Sequence, residues 1–231
     1  NTARYPLQPY PAGGDGKEGE PIVFNYIGRV LHDKGVDDYI EAAKRIKAKY
    51  PQTEFNMLGF IEPTEIHYEE DLRILGEQGI VQYRGSQKDV KPWVAHAHAT
   101  IHPSTYGEGM SNVLLESASM GRFIITTNNP GCQETLEHEK TGFIYQGGNV
   151  DALVETIERF LAMPNETRQK MGEAGRERVN DLFSREFVIK AYIEKIVFST
   201  FNSENNITYR IISVMYDLTT EQYYALCKIN S

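Results

Sequence analysis

Cysteine is scarce in this 231-residue chain: only Cys132 and Cys227 occur, with no C-x-x-C pair and no metal-ligand spacing. A disulfide framework and a cysteine-held zinc centre are therefore excluded as organising devices, and a reducing, cytosolic setting fits. Long apolar runs are missing as well. No stretch reaches the roughly 18 apolar residues that a bilayer-spanning helix needs. Positive charge is not in excess either. A net charge of −8 argues against nonspecific nucleic-acid binding, so nucleic acid is not an expected partner. An anionic ligand would have to be met by a local basic spot. Neither G-x-G-x-x-G nor G-x-x-x-x-G-K-[ST] follows the first predicted strand, which counts against an NAD-type or epimerase Rossmann site and against a P-loop. The chain starts at Asn1 with no signal-peptide pattern, and the expectation is a piece of a longer protein.

What is present is ordinary for a soluble globular domain: 40% apolar and 24% charged residues, with length enough for a proper core. Residues 1–20 are rich in Pro and Gly, lack periodicity, and read as a linker. From residue 21 short apolar strands alternate with helical patterns. Strands are predicted at 21–27, 54–58, 80–83, 99–102, 123–126 and 142–145. Helices are predicted at 36–49, 65–78, 90–97, 111–120, 149–161 (with Asn149 as N-cap), 166–183 and 184–197. That alternation implies right-handed βαβ units, hence an α/β fold with a Rossmann-like parallel sheet and helices on both faces. The domain is expected to span 21–199. Residues 200–231 form a C-terminal appendage with no pattern that assigns a structure.

The stretch that organises the chain is 100–127. A strand runs into the loop H-P-S-T-Y-G-E-G-M, then a helix, then a β-branched strand. A Gly-flanked loop feeding a helix offers free backbone N–H groups and a positive dipole end to an anion. In an open α/β sheet, ligands bind outside the carboxyl ends of the strands. Arg29 and Lys34 lie in the loop after the first strand, where two cations can converge on a diphosphate; alone, such a pair is more often two solvated surface charges. Glu108 and Glu116 have seven residues between them. A glycosidase-like acid and nucleophile pair does not suit that arrangement, since Glu108 precedes the helix and Glu116 lies within it. Carboxylates so placed suit the vicinal hydroxyls of an extended ligand. His102 reads as structural, His96 and His98 as the end of a short helix, and Cys132 as incidental.

Three motifs occur in order on this framework: G-R-V-L-H-D-K-G, then H-P-S-T-Y-G-E-G-M-S-N-V-L-L-E-S-A-S-M-G, then P-G-C-Q-E-T-L-E-H-E-K-T-G-F-I-Y. From about residue 21 to 197 the chain resembles the carboxyl-terminal domain of the retaining GT-B glycosyltransferases of group 1, with their E-x7-E motif. The resemblance implies one half of a GT-B fold. It implies that Arg29 and Lys34 hold the donor diphosphate and that Glu108 and the amides of Gly109, Met110 and Ser111 face sugar and phosphate. It implies that Glu116 binds the ribose hydroxyls and that the backbone near Arg84 meets the base. Asn112 and Leu115 fall beside these and are expected to line the pocket. The implied substrate is a nucleotide sugar, UDP-linked, donating a hexose or acetamido-hexose to a glycan or lipid-linked acceptor with retention, in surface polysaccharide synthesis. No metal or other cofactor is expected. The implied missing partner is an amino-terminal acceptor domain. The implied location is cytoplasmic, with peripheral attachment to the inner face of the membrane left open. The alternative is a non-catalytic nucleotide-sugar-binding or interaction module.

Overall fold

The computed structural model of the protein describes residues 2–12, 20–107, 109–184, 187 and 189. The chain divides after Phe183 into two units, and the fold below is that of the first. The helix expected over 184–197 and the appendage at 200–231 fall almost wholly outside the described residues.

Six strands form one parallel sheet. They are β1 (Ile22–Ile27), β2 (Thr53–Leu58), β3 (Gln82–Gly85), β4 (Ala99–His102), β5 (Phe123–Thr127) and β6 (Gly142–Tyr145), in the spatial order β3-β2-β1-β4-β5-β6. The helices are α1 (Val36–Lys49), α2 (Tyr68–Glu77), α3 (Lys91–His96), α4 (Asn112–Ser119), α5 (Val150–Ala162) and α6 (Asn165–Phe183). The period-3.6 spacing of Val36, Tyr39, Ile40, Ala43 and Ile46 makes α1, and all five are buried. Asn149 caps α5 as expected, its Oδ1 accepting from the Ala152 N–H at 3.0 Å.

One face of the sheet carries an aromatic core. Phe24 stacks on Phe55 with centroids 5.0 Å apart, and Phe160 of α5 meets both Phe24 and Phe123 edge-on. The Tyr39 hydroxyl is buried there but satisfied, donating to the carbonyls of Phe24 and Asn56. The other face is more polar around β1, β2 and β4, with buried Asn25, Asn56 and Thr100, and the Thr100 hydroxyl donates to Ser117 of α4 at 2.9 Å. Among the described residues no helix is long and apolar enough to cross a membrane.

Two differences from the sequence expectation have physical causes. β3 begins at Gln82, not residue 80, because the N–H groups of Ile80 and Val81 donate back to the Leu75 carbonyl and close α2. Residues 2–12 also bind to the domain. Fully buried Arg122 donates to the carbonyls of Gln8 and Pro9 at 2.6 and 2.7 Å, and the Gln8 N–H donates to the Met120 carbonyl at 3.3 Å. The Tyr10 hydroxyl donates to the His98 carbonyl at 2.6 Å, and Asn165 Nδ2 to the Pro11 carbonyl at 3.1 Å. A proline-rich strap has no side-chain period, so nothing local signals this docking.

His98 lies beyond the end of α3, just before β4, rather than on the helix end, and it is buried. Its Nδ1 accepts from the Val23 N–H at 3.1 Å, so the ring proton sits on Nε2, 3.2 Å from the Ala12 carbonyl. Burial pushes this imidazole down to about 4. Below the ordinary value the unfolded chain takes up a proton that folded His98 refuses, so stability falls with falling pH. The gap between 6.5 and about 4 is worth roughly 3 kcal/mol at its full extent. Urea unfolding between pH 7 and pH 4 should therefore show a steeper loss in the wild-type protein than in His98→Gln. Parallel pH profiles for the two proteins would show that His98 is not the source.

Candidate active site

Strand order reverses between β1 and β4, which are neighbours although β2 and β3 lie between them in sequence. A crevice opens at such a switch point, at the carboxyl edge. Two loops flank it, residues 28–35 after β1 and 103–111 after β4. They are stitched together: the N–H and the hydroxyl of Thr105 each donate to the Asp33 carbonyl at 3.1 Å. Gly35 makes the close approach possible. It has φ +72°, and a Cβ there would stand 2.0 Å from the Pro103 carbonyl oxygen. Lys34, just before it, is thereby carried to the second loop, with Nζ 5.6 Å from the centroid of the exposed Tyr106 ring.

Arg29 stands on the β2 side of the same edge. Its loop is zipped to the one after β2 by the Val30 N–H donating to the Phe60 carbonyl at 2.8 Å and by the Glu62 N–H donating to Val30 at 3.2 Å. Arg29 Nη1 donates to Glu62 Oε1 at 2.8 Å, with the Arg29 side chain half exposed. Such a pair holds the guanidinium weakly and leaves its other donors for an anion. Glu62 lies 33 residues from Arg29, and no local pattern singled it out.

Ser111 occupies the N-cap position of α4 and is buried, its hydroxyl 3.5 Å from His102 Nε2. The expectation that its amide faces the ligand needs correcting, because that N–H donates to the Gly131 carbonyl at 2.9 Å. The N–H groups without an intrahelical acceptor belong to the next three residues, Asn112, Val113 and Leu114. Gly109, Met110 and Asn112 are exposed at this end. Leu115 is partly buried against the cluster of Leu114, Ala118 and Ile124, which accounts for its apolar character. Glu116 is half-buried one turn into α4. Glu108, the first acid of the E-x7-E spacing, lies outside the described residues.

Arg84 sits apart from these groups by its side chain. Its Nε donates to Asn56 Oδ1 at 2.8 Å, its Nη2 is 3.5 Å from Glu54 Oε1, and its guanidinium lies 5.3 Å from the Trp93 ring centroid. Only its backbone is at the carboxyl edge, where its carbonyl accepts from Gln87 Nε2 and the neighbouring Gly85 carbonyl from the Gly59 N–H. A separate cleft of ≈ 600 Å³ lies beside α3 and is lined by Asn25, Glu54, Asn56, Trp93 and His98. None of the residues assigned to the donor from the sequence lines it, and its two carboxylates, Glu20 and Glu54, with no Lys or Arg, make it unfit for a diphosphate. Lys34 is thus held against the loop that leads to α4, while Arg29 pairs with Glu62 on the β2 side of the same sheet edge and Glu116 lies one turn into α4.

Residues 14–178 match the family profile described as "Glycosyl transferases group 1". The chain is 29% identical over 167 residues to the capsular polysaccharide biosynthesis glycosyltransferase CapM of Staphylococcus aureus, covering 72% of this chain and 43% of that protein. Among solved structures, Anabaena Alr3699/HepE in complex with UDP superposes with a TM-score of 0.70 at 20% identity, over 77% of this chain and 49% of that one. The carboxyl-terminal domain of a group 1 family protein, LpcC of Francisella tularensis, superposes with a TM-score of 0.66 at 18% identity, over 80% of this chain and 98% of that domain. The chain spans about half the length of the curated relatives it matches.

Proposed function

The chain belongs to the group 1 glycosyltransferases, and from that premise we propose that it is the donor half of an enzyme that moves a hexose or acetamido-hexose from a UDP-linked sugar to a glycan or lipid-linked acceptor. The single observation that supports this reading is the stitching of the two loops, which holds Lys34 against the loop that leads to α4 at the sheet's switch point. In transfer, the bond between the anomeric carbon and the phosphate oxygen lengthens and negative charge grows on the departing diphosphate. Lys34, Arg29 and the first amides of α4 are donors already in position for that charge, which lowers the barrier without reorganisation. Glu116 accepts from the ribose hydroxyls, and Glu108 works with Gly109 and Met110 on the sugar side. The backbone at Arg84 and Gly85 is assigned to the base. Retention of anomeric configuration, a role in surface polysaccharide synthesis and a cytoplasmic location complete the reading.

The test is a thermal-shift panel of nucleotide sugars. A ligand present at ten times its dissociation constant stabilises the folded state by about 1.4 kcal/mol, a rise of a few degrees for a domain of this size. UDP-glucose or UDP-N-acetylglucosamine is expected to raise the midpoint, and ADP-ribose is not. A panel in which no nucleotide sugar shifts the midpoint would overturn the reading. The chain alone is expected to bind donor yet transfer little, because the reacting groups of the acceptor belong to the amino-terminal half. Turnover by the chain alone, in a labelled-sugar assay, would refute that part.

A further inference from the structure

Tyr106 is 59% exposed in the loop after β4, so burial does not account for where its ring lies. Its main chain, by contrast, is held from two sides. Fully buried Ser104 donates from Oγ to the Tyr106 carbonyl at 3.0 Å. The Ser104 carbonyl in turn accepts from Thr127 Oγ1 at 2.8 Å and from Asn129 Nδ2 at 2.6 Å, which ties the loop to the end of β5. On the other side Thr105 donates twice to the Asp33 carbonyl in the loop after β1. The ring so carried lies against that loop, with Lys34 Nζ 5.6 Å from its centroid, which is within cation–π range. Lys34 is also anchored by its own main chain, its N–H donating to the Leu31 carbonyl at 2.9 Å.

We propose that Tyr106 is a positioning residue of the donor site, its ring holding the Lys34 ammonium in the place from which it meets the donor diphosphate. The inference rests on the reading of Lys34 as a diphosphate ligand. A lysine side chain on its flexible four-carbon stem moves among many rotamers, and each binding event would have to select one. The ring narrows that choice before the ligand arrives. A carboxylate in the ring's place would cancel much of the charge that a diphosphate is drawn to. A neutral π face holds the ammonium through its quadrupole and leaves the positive charge whole. The ring rather than the hydroxyl performs this task, so phenylalanine should serve as well as tyrosine, and an aliphatic side chain should not.

The experiment is a titration of UDP with the full chain, followed by phosphorus NMR, for wild type, Tyr106→Phe, Tyr106→Leu, Lys34→Ala and the Tyr106→Leu, Lys34→Ala double variant. The ring is exposed, so the Tyr106 variants should unfold within about 2 °C of the wild type. Tyr106→Leu is expected to weaken UDP about three- to fivefold, the size of one exposed cation–π contact, and Tyr106→Phe to stay within about twofold of wild type. In the Lys34→Ala background Tyr106→Leu should cost nothing further, since the ring acts through that ammonium. A loss for Tyr106→Phe as large as for Tyr106→Leu, no loss for Tyr106→Leu, or an undiminished loss in the Lys34→Ala background would each overturn the proposal. The last of these would mean that the ring touches the ligand itself. Lys34→Ala separates the two readings. If it leaves UDP binding intact, the diphosphate assignment fails and takes the positioning role with it. If it weakens UDP while Tyr106→Leu does not, only the positioning role fails.

Discussion

Replacing Lys34 by alanine is expected to weaken UDP binding by about thirty- to a hundredfold, the largest loss from any single cation of the crevice. A Lys-to-phosphate contact is a charge-assisted bond worth about 2–3 kcal/mol, or somewhat more where walls exclude water. Lys34 lies on the β4 side, with Nζ 5.6 Å from the Tyr106 ring in the loop that leads to α4, and in the proposed site its charge and the helix amides would act on the same phosphate oxygens. Arg29 pairs with Glu62 at 2.8 Å and is half exposed, so Arg29→Ala should cost about tenfold. The ordering matters as much as the sizes. Both losses should shrink as salt rises from 0.05 M to 0.5 M, since screening weakens the deleted side chain's own Coulomb attraction, which only the wild type has. Equal affinities of wild type and Lys34→Ala for UDP at low salt would place the diphosphate elsewhere.

Much of this arrangement is written locally in the sequence, and the part that is not is written in contacts between distant residues. The alternation of strand and helix, the boundaries of α1 and β4, and the Asn149 cap follow from period and turn chemistry, because each is decided within a few residues. β3 slipped by two residues because the apolar pair Ile80 and Val81, which reads as a strand, is spent on closing α2. Arg29 and Lys34 are visible as cations on a strand–helix loop. That the loop after β4 would be pinned to Asp33, and that Glu62 would hold Arg29, is set by tertiary packing that no spacing reports. The Ser111 amide was misread for a related reason: its acceptor, the Gly131 carbonyl, comes from a loop on the far side of β5. The strap is the extreme case. Many of its contacts are backbone carbonyls, several taken up by Arg122 and Arg176, and a carbonyl carries no residue signature.

Gly35→Ala should strongly destabilise the domain at the contact between the loops after β1 and β4. Two costs combine. The backbone at φ +72° is one that an L-residue adopts at a penalty of about 1 kcal/mol. The new Cβ would also stand 2.0 Å from the Pro103 carbonyl oxygen and 2.6 Å from its carbon, and these are backbone atoms that cannot rotate away. Relief requires moving one loop off the other, and a total of roughly 3–5 kcal/mol is expected, seen as a fall of about 10 °C in the unfolding midpoint. Gly79 supplies the control: its φ is +68°, but no atom lies within 4 Å of where its Cβ would be. Gly79→Ala should therefore pay the conformational cost alone, about 1 kcal/mol. The difference between the two variants isolates the close approach. The movement that relieves the clash also breaks the Thr105–Asp33 hydrogen bonds, which hold Lys34 against the second loop. Gly35→Ala should thus lose UDP affinity even at temperatures where it remains folded, whereas Gly79→Ala keeps it. If the two alanine variants unfolded at the same temperature and bound UDP alike, the two loops would not be in contact, and the crevice would lack the geometry assigned to it.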